Sequence, residues 1–589
     1  MRFLGNVMAT IIGLFVFMML SFFGIFFIAV IFGGDSEEIE VKSDSVIELK
    51  LENINNDFAG KYKDPWLNIL SEGENIGLSD IIKSIEAAKN DSDIKGISIL
   101  NNKSELGMAQ SKALRDALED FKKSGKFVMA YSNSYSQKEY YLNSVANTIY
   151  INPVGDFDFK GLSAELMFFK DLQEKSGVKM EVIRHGKYKS AVEPFLDNKM
   201  SDANREQTMS LLNSVWNSIL ADISKSRNIS AIKLNEIANG LLARTPEMAK
   251  AEKLVDIIAY EDVYHDAIRN KLKVDKGDDY NKISIKDYAQ KVATTSESIS
   301  ATDKIAVIYA QGEIMSGEGD VNIIGEGSMN RSLIEARKDK NIKAIVLRIN
   351  SPGGNALTSD LIWREIELTK KVKPVVVSMG NYAASGGYYI ACNANTIFAE
   401  SNTITGSIGV FGILPNLTAL ATKIGVHTEQ VKTNENASEY SPFVPMDEKF
   451  KTVTQESVEK IYNTFVSHVA AGRKMTIAQV DSIGQGRVWS GSQALKIGLV
   501  DKIGGLDDAI KEAASLSKTK TYSTQNFPEF EKTLKELFEE SNSSPFAKTK
   551  KSFIKEELGE EAYRLMEQIK KVQARKGVQA LMPFEITIQ

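Results

Sequence analysis

Short phrases in this chain return 248 positions later: Asp93-Ile94-Lys95-Gly96-Ile97 as Asn341-Ile342-Lys343-Ala344-Ile345, and Ala146-Asn147-Thr148-Ile149 as Ala394-Asn395-Thr396-Ile397. Gly177-Val178 and Pro194-Phe195 return as Gly425-Val426 and Pro442-Phe443 at the same offset. A register held over about a hundred residues marks an internal duplication, so the fold must be one that can be built twice in a single chain. The two copies differ where chemistry would sit. Ser385, in Asn381-Tyr382-Ala383-Ala384-Ser385-Gly386-Gly387, is matched by Gln137, whereas Lys189, in the run Gly186 to Phe195, is matched by Ala437.

Each copy alternates short apolar runs with helical stretches, the pattern of parallel strands joined by crossover helices. Lys304 to Tyr309, Ala344 to Ile349 and Pro374 to Ser378 read as strands of the second copy; Val46 to Leu51, Gly96 to Leu100 and Phe127 to Tyr131 read as strands of the first. An α/β layered fold follows. The expected division is an anchor at 1–34, a first repeat at 45–270, a linker at 271–302, a second repeat at 303–517 and a charged, helical tail at 518–589.

No charged residue occurs from Val7 to Phe32. That run exceeds both the ~20 residues of a bilayer-spanning helix and the ~7 to 15 of a signal-peptide core. It ends at Gly33-Gly34 and then Asp35, Glu37, Glu38 and Glu40, without a small-x-small cleavage site. The reading is an uncleaved, single-pass anchor. Arg2 before it, against Lys42 and Lys50 beyond it, favours the bulk of the protein outside the cytoplasm.

A net charge of -5 provides no basic footprint, which argues against a nucleic-acid partner. Cys392 is the only cysteine, so an internal disulfide and a cysteine metal cluster are excluded. The four histidines, at 185, 265, 427 and 468, include no helical zinc pair, and the sequence has no Walker-type phosphate loop. No metal, cofactor or ATP motor is expected.

The sequence around Ser385 leaves a strand and enters a run of small residues, which lets a substrate backbone approach a hydroxyl closely. On its own, that pattern equally describes an N-cap serine. A second turn, Arg348-Ile349-Asn350-Ser351-Pro352-Gly353-Gly354, also follows a strand, and two turns at adjacent strand ends of a parallel sheet meet in space. Gly353 or Gly354, together with Gly386, would then offer amides to a developing oxyanion. In the first copy the match to Ser351 to Gly354 is Lys103 to Leu106, so that apparatus is gone. A serine nucleophile also needs a base. His427 and His468 have no local carboxylate suggesting a triad; a buried lysine can serve instead, but composition does not choose one.

Taken together, Gly186 to Phe195, Arg348 to Gly354, Ala383 to Tyr388 and Thr405-Gly406-Ser407-Ile408-Gly409 closely resemble the long form of the signal peptide peptidase A (protease IV) family. The resemblance covers nearly the whole chain, and it implies tandem duplicated domains of the Clp protease/crotonase-like fold behind an N-terminal transmembrane helix. It implies a Ser-Lys serine peptidase with Ser385 as nucleophile and Lys189, from the degenerate first copy, as general base. By the same resemblance, Ser407 positions the lysine, and Gly354 and Gly386 form the oxyanion hole. Lys187 is the local rival of Lys189, since spacing alone does not separate the two.

The family further implies signal peptide remnants and other apolar peptides as substrates. It also implies a homotetramer, and a place in the bacterial inner (cytoplasmic) membrane with the catalytic part on the periplasmic side. Tyr388, Tyr389 and Phe411 flank the motifs, where apolar residues are more often core than pocket lining. Two other functions suit parts of the pattern: a crotonase-type acyl-CoA enzyme, which would leave the Ser385 and Lys189 pair superfluous, and a membrane scaffold without activity, which the intact second-copy motifs argue against.

Overall fold

The structure, a computed structural model, describes residues 2–32, 39–63, 76–298, 301–437, 440–531 and 578–582. Among them the first copy builds a six-stranded parallel sheet in the order Ile257–Ile258, Thr148–Ile151, Phe127–Ser132, Ile94–Leu100, Ser45–Glu48, Lys282–Ser284. The second copy repeats the plan. Val375–Ala384, Ile342–Ser351 and Lys304–Gln311 run parallel at its centre, with Thr396–Ala399 and Ile404–Gly406 both alongside Val375–Ala384. Ile345, Val346 and Leu347 are all fully buried, the mark of a parallel sheet covered on both faces.

The duplication is visible in the helices. Leu78–Asn90 and Glu326–Lys338 begin 248 residues apart, as do Met108–Lys122 and Ala356–Lys370. Leu78, Ile81, Ile85 and Ala88 are buried at helical spacing, so the first of these helices lays one apolar stripe on the sheet.

Two expected segments differ from their sequence reading. Within 271–302, Lys282–Ser284 adds an edge strand beside Ser45–Glu48 and Ile285–Ser298 is a helix with Tyr288 buried, so this stretch is part of the first copy rather than a spacer. Of the tail expected to be helical, the described residues form strands. Ser523–Phe527 pairs with Lys304–Gln311, Glu529–Phe530 with Lys61–Tyr62, and Gln579–Leu581 joins a third sheet. Tertiary pairing overrides local charge patterning there; residues 532–577 and 583–589 lie outside the described residues.

That third sheet joins the copies. Its order is Gly319–Asp320, Ile323–Ile324, Glu313–Ile314, Gly353–Asn355, Gln579–Leu581, Val410–Asn416, Lys179–His185, so a first-copy strand closes a sheet made by the second. Elsewhere the copies are joined by a buried ion pair, Arg348 Nε to Asp57 Oδ2 at 2.7 Å, and by a shared helix cap. Gly107, the N-cap of Met108–Lys122, has no side chain to cap with, and the amides of Ala109 and Gln110 instead donate to Asn381 Oδ1, each at 3.1 Å. A Cβ at Gly107 would stand 2.4 Å from the Asn381 side chain, so only glycine admits this cap.

The N-terminal apolar run forms one helix, Arg2–Phe32. The span expected of that run rests on the sequence alone.

Candidate active site

Ser385 ends the strand Val375–Ala384 and is the N-cap of the helix Gly386–Ala391. Its backbone sits at φ 55°, ψ −115°, a conformation side chains disfavour and surroundings must enforce. The enforcement is visible: Ser385 N donates to Gly406 O at 2.8 Å, and its carbonyl accepts from Tyr389 N at 2.8 Å. The result holds Oγ at the strand-to-helix junction in a fully buried site.

Lys189 arrives from the other copy. Lys179–His185 pairs antiparallel with Val410–Asn416, placing His185 opposite Val410. The chain then turns at Gly186, whose φ is +98° and whose Cβ, were there one, would meet the Gln485 backbone at 2.5 Å. Beyond that turn the Lys189 side chain runs inward. Its Nζ lies 2.8 Å from Ser385 Oγ, 3.0 Å from Ser407 Oγ and 3.1 Å from Ser407 O.

The amine is fully buried and has no salt-bridge partner among the described residues. Burial therefore holds its pKa well below the usual lysine range, because desolvation penalises the ammonium and no carboxylate offsets it. A neutral amine touching a hydroxyl can accept that hydroxyl's proton.

Ser407 has φ 51° and its amide donates to Arg487 O at 2.7 Å. Across the site, the Gly353-Gly354 turn and the start of the Gly386 helix are in contact, since a Cβ on Gly386 would lie 3.2 Å from Gly354 N. Both Gly353, at φ +104°, and Gly354, at φ +154°, are in backbone conformations that favour glycine.

The site thus brings together Ser385, Lys189 and Ser407, with Gly354 and Gly386 beside each other at their strand ends. Lys187 is excluded from it: exposed, it lies over the Tyr188 ring. No histidine hydrogen-bonds Ser385 among the described residues. His468 contacts Asp360 and stacks on Trp363, and His427 is exposed. Tyr388 and Tyr389 are core residues, whereas Phe411 packs against Val192 of the first copy and stands 5.9 Å from Lys189 Nζ.

Several supporting residues carry no signal in the sequence. Gln207 Nε2 donates to Ser190 Oγ at 2.9 Å and to Tyr188 O at 3.0 Å. Arg487 donates to both Glu206 carboxylate oxygens and to the Tyr188 hydroxyl, pinning the lysine loop to the segment that also holds Ser407. His185, stacked on Tyr462, bonds Glu459. The Arg487 and His185 contacts, and a bond from Val488 N to Gln207 Oε1 at 3.3 Å, join the two copies, and only the shared period hinted that the copies meet.

Residues 120–275 and 367–520 match peptidase family S49. Protease 4 of Haemophilus influenzae is 38% identical to this chain, over 77% of it and 76% of the relative. The chloroplastic serine protease SPPA of Arabidopsis thaliana is 33% identical, over 80% and 69% respectively. Among solved structures, a ClpP1 mutant from Listeria monocytogenes aligns with 37% of this chain and 99% of its own, at 16% identity and a TM-score of 0.25.

Proposed function

The chain belongs to peptidase family S49 and is a serine peptidase, and from that premise we propose that Ser385 is its nucleophile and Lys189 its general base. The observation carrying this reading is the 2.8 Å contact between Lys189 Nζ and Ser385 Oγ, made by a lysine buried without a counter-ion. Neutral Lys189 takes the Ser385 proton as Oγ attacks a peptide carbonyl. The amides of Gly354 and Gly386 receive the developing oxyanion, each donor lowering the barrier by ~2.7 to 4 kcal/mol. Protonated Lys189 then gives its proton to the leaving amine, and water hydrolyses the acyl-enzyme. Ser407 fixes the amine's direction, because its Oγ and carbonyl are both within hydrogen-bond reach of Nζ.

Apolar peptides, including signal peptide remnants, are the proposed substrates, cut by an enzyme anchored through Arg2–Phe32 with its site on the periplasmic face of the bacterial inner membrane. The charge-free run from Val7 to Phe32 supports the anchor. A homotetramer is the proposed assembly. Lys179–His185 pairs with Val410–Asn416 inside one chain, yet the matching stretches 427–433 and 162–168, each 248 positions away, form no strand among the described residues. Repeating the internal pairing between protomers would use both edges and is a heterologous contact of the kind that closes rings.

Labelling with a fluorophosphonate tests the chemistry. Label should enter the wild-type chain and be lost in Ser385→Ala, and Lys189→Ala should fold yet fail to turn over peptides. Full turnover by Lys189→Ala would overturn the assignment of the base.

A further inference from the structure

A cavity of about 240 Å³ lies where the two copies meet. Leu78–Asn90 and Met108–Lys122 of the first copy line one part of it, and Arg348, Glu400 and the start of the helix Leu506–Leu516 line the rest. The lining is lopsided in charge, with seven carboxylates against four basic side chains. Leu78, Ile82, Ala113, Ala117 and Leu506 supply apolar wall among them.

Glu400 is the group in this cavity without a partner. It follows the strand Thr396–Ala399 and is only 3% exposed, yet among the described residues its carboxylate takes part in no hydrogen bond or ion pair. The cations near it are engaged elsewhere: Arg348 holds Asp57 at 2.7 Å and Lys112 holds Asp116 at 2.8 Å. Nor does Glu400 cap the neighbouring helix. A Cβ on Gly505 would lie 3.1 Å from Glu400 Oε1, but Gly505 N donates to Asp508 Oδ2 at 3.0 Å. Burial pushes the Glu400 carboxyl up to about 7, because a dry carboxylate without a counter-charge is unfavourable. Half-buried Asp507 is also held above the usual carboxylate range, by burial and then by Glu86, with Lys511 and Lys83 opposing.

We propose that this cavity binds a primary aliphatic amine, with the ammonium group on the Glu400 carboxylate and the alkyl stem along the Leu78, Ile82 and Ala117 wall. The ammonium supplies the charge-assisted hydrogen bonds that Glu400 lacks, and the stem covers apolar surface. A metal ion suits the cavity less well. Among the described residues no three carboxylate, histidine or cysteine side chains converge on one point, and the volume is several times the ~30 Å³ that one water occupies in the liquid. Because the walls come from both copies, an occupant ties them together and stabilises the folded chain in proportion to its concentration.

The test titrates cadaverine into the detergent-solubilised full chain by calorimetry, with pentanol as the uncharged analogue. Two variants accompany the wild type, each checked for folding by circular dichroism: Glu400→Gln, which keeps the shape and removes the charge, and Ala117→Leu, which keeps the charge and fills the space. Cadaverine should bind the wild type saturably and raise its thermal midpoint, while pentanol should do neither. Removing the charged acceptor should weaken binding roughly tenfold or more, and Ala117→Leu should weaken it as well. Absence of saturable binding to the wild type overturns the proposal, as does unchanged binding in either folded variant. A wild-type chain that takes Mg²⁺ or Ca²⁺ but not cadaverine overturns it too.

Discussion

Gln137 stands at the position of the first copy that Ser385 holds in the second, and each side chain donates to the matching glycine: Gln137 Nε2 to Gly161 O at 2.9 Å, Ser385 Oγ to Gly409 O at 3.4 Å. Gln137 Oε1 also accepts from Lys160 N and Gly161 N. In the first copy the matching side chain is thus a brace that bonds the backbone of Lys160 and Gly161.

Restoring the hydroxyl should not restore chemistry. Leu106 replaces the turn glycine and its amide already donates to Ser104 Oγ, so no oxyanion donor waits there. A chain carrying Gln137→Ser and Ser385→Ala should remain inert to fluorophosphonate, as judged by intact mass; a labelled first copy would refute this.

With Lys189 as the proposed base, both rate and stability should depend on pH through its amine. Its folded pKa lies well below the usual value because of burial, while the unfolded chain keeps a pKa near ~10.4. Between those two values the unfolded state binds more protons, so stability rises with pH across that window and falls as pH drops through the folded pKa. Lys189→Met should remove this contribution, flattening the pH profile of the urea midpoint. In the wild type, kcat/KM should climb as Lys189 loses its proton and then level off; an acid-side maximum would contradict the assignment.

Asp57 is the only carboxylate paired with Arg348 among the described residues, and both side chains are nearly fully buried. Breaking such a pair typically costs ~3 to 5 kcal/mol, because the remaining charge is left without compensation. Asp57→Ala should therefore lower stability toward that range in chemical denaturation. The remaining bonds from Arg348 to Ser378 Oγ and Met379 O moderate the loss. A cost below ~1 kcal/mol, that of a surface pair, would mean the pair is not sealed from water.

Gly354→Ala should leave a folded but nearly inactive peptidase. Its φ of +154° disfavours any side chain, and the added methyl would meet Ile314 O at 2.0 Å, so the turn must shift. Loss of one oxyanion donor corresponds to a fall in kcat of roughly a hundredfold to a thousandfold, measured as turnover of an apolar peptide with circular dichroism as the control for folding.

The repeat made the architecture legible because local patterns set local elements: helices matched 248 apart start at matched residues. Partner-dependent structure was hidden. Lys179–His185 is a strand because Val410–Asn416 lies beside it, while 427–433, which occupies the same repeat register, has no such neighbour and forms none. The same blindness made the tail look helical, since nothing near Gln579 announces a slot beside Gly354. At the site, Ser385 and the turn glycines were readable from their surroundings in the sequence, and Lys189 and Ser407 through a family resemblance. Gln207, Arg487 and Asn381 act across the boundary between copies, where no local spacing points.

The closing of a second-copy sheet by Lys179–His185 also sets a clock on synthesis. The lysine leaves the ribosome almost two hundred residues before the serine (Lys189 and Ser385 are 196 apart), and the strand that carries it has no partner until Val410–Asn416 has followed. A nascent chain therefore holds Ser385 and Lys189 apart until synthesis has passed Val410–Asn416.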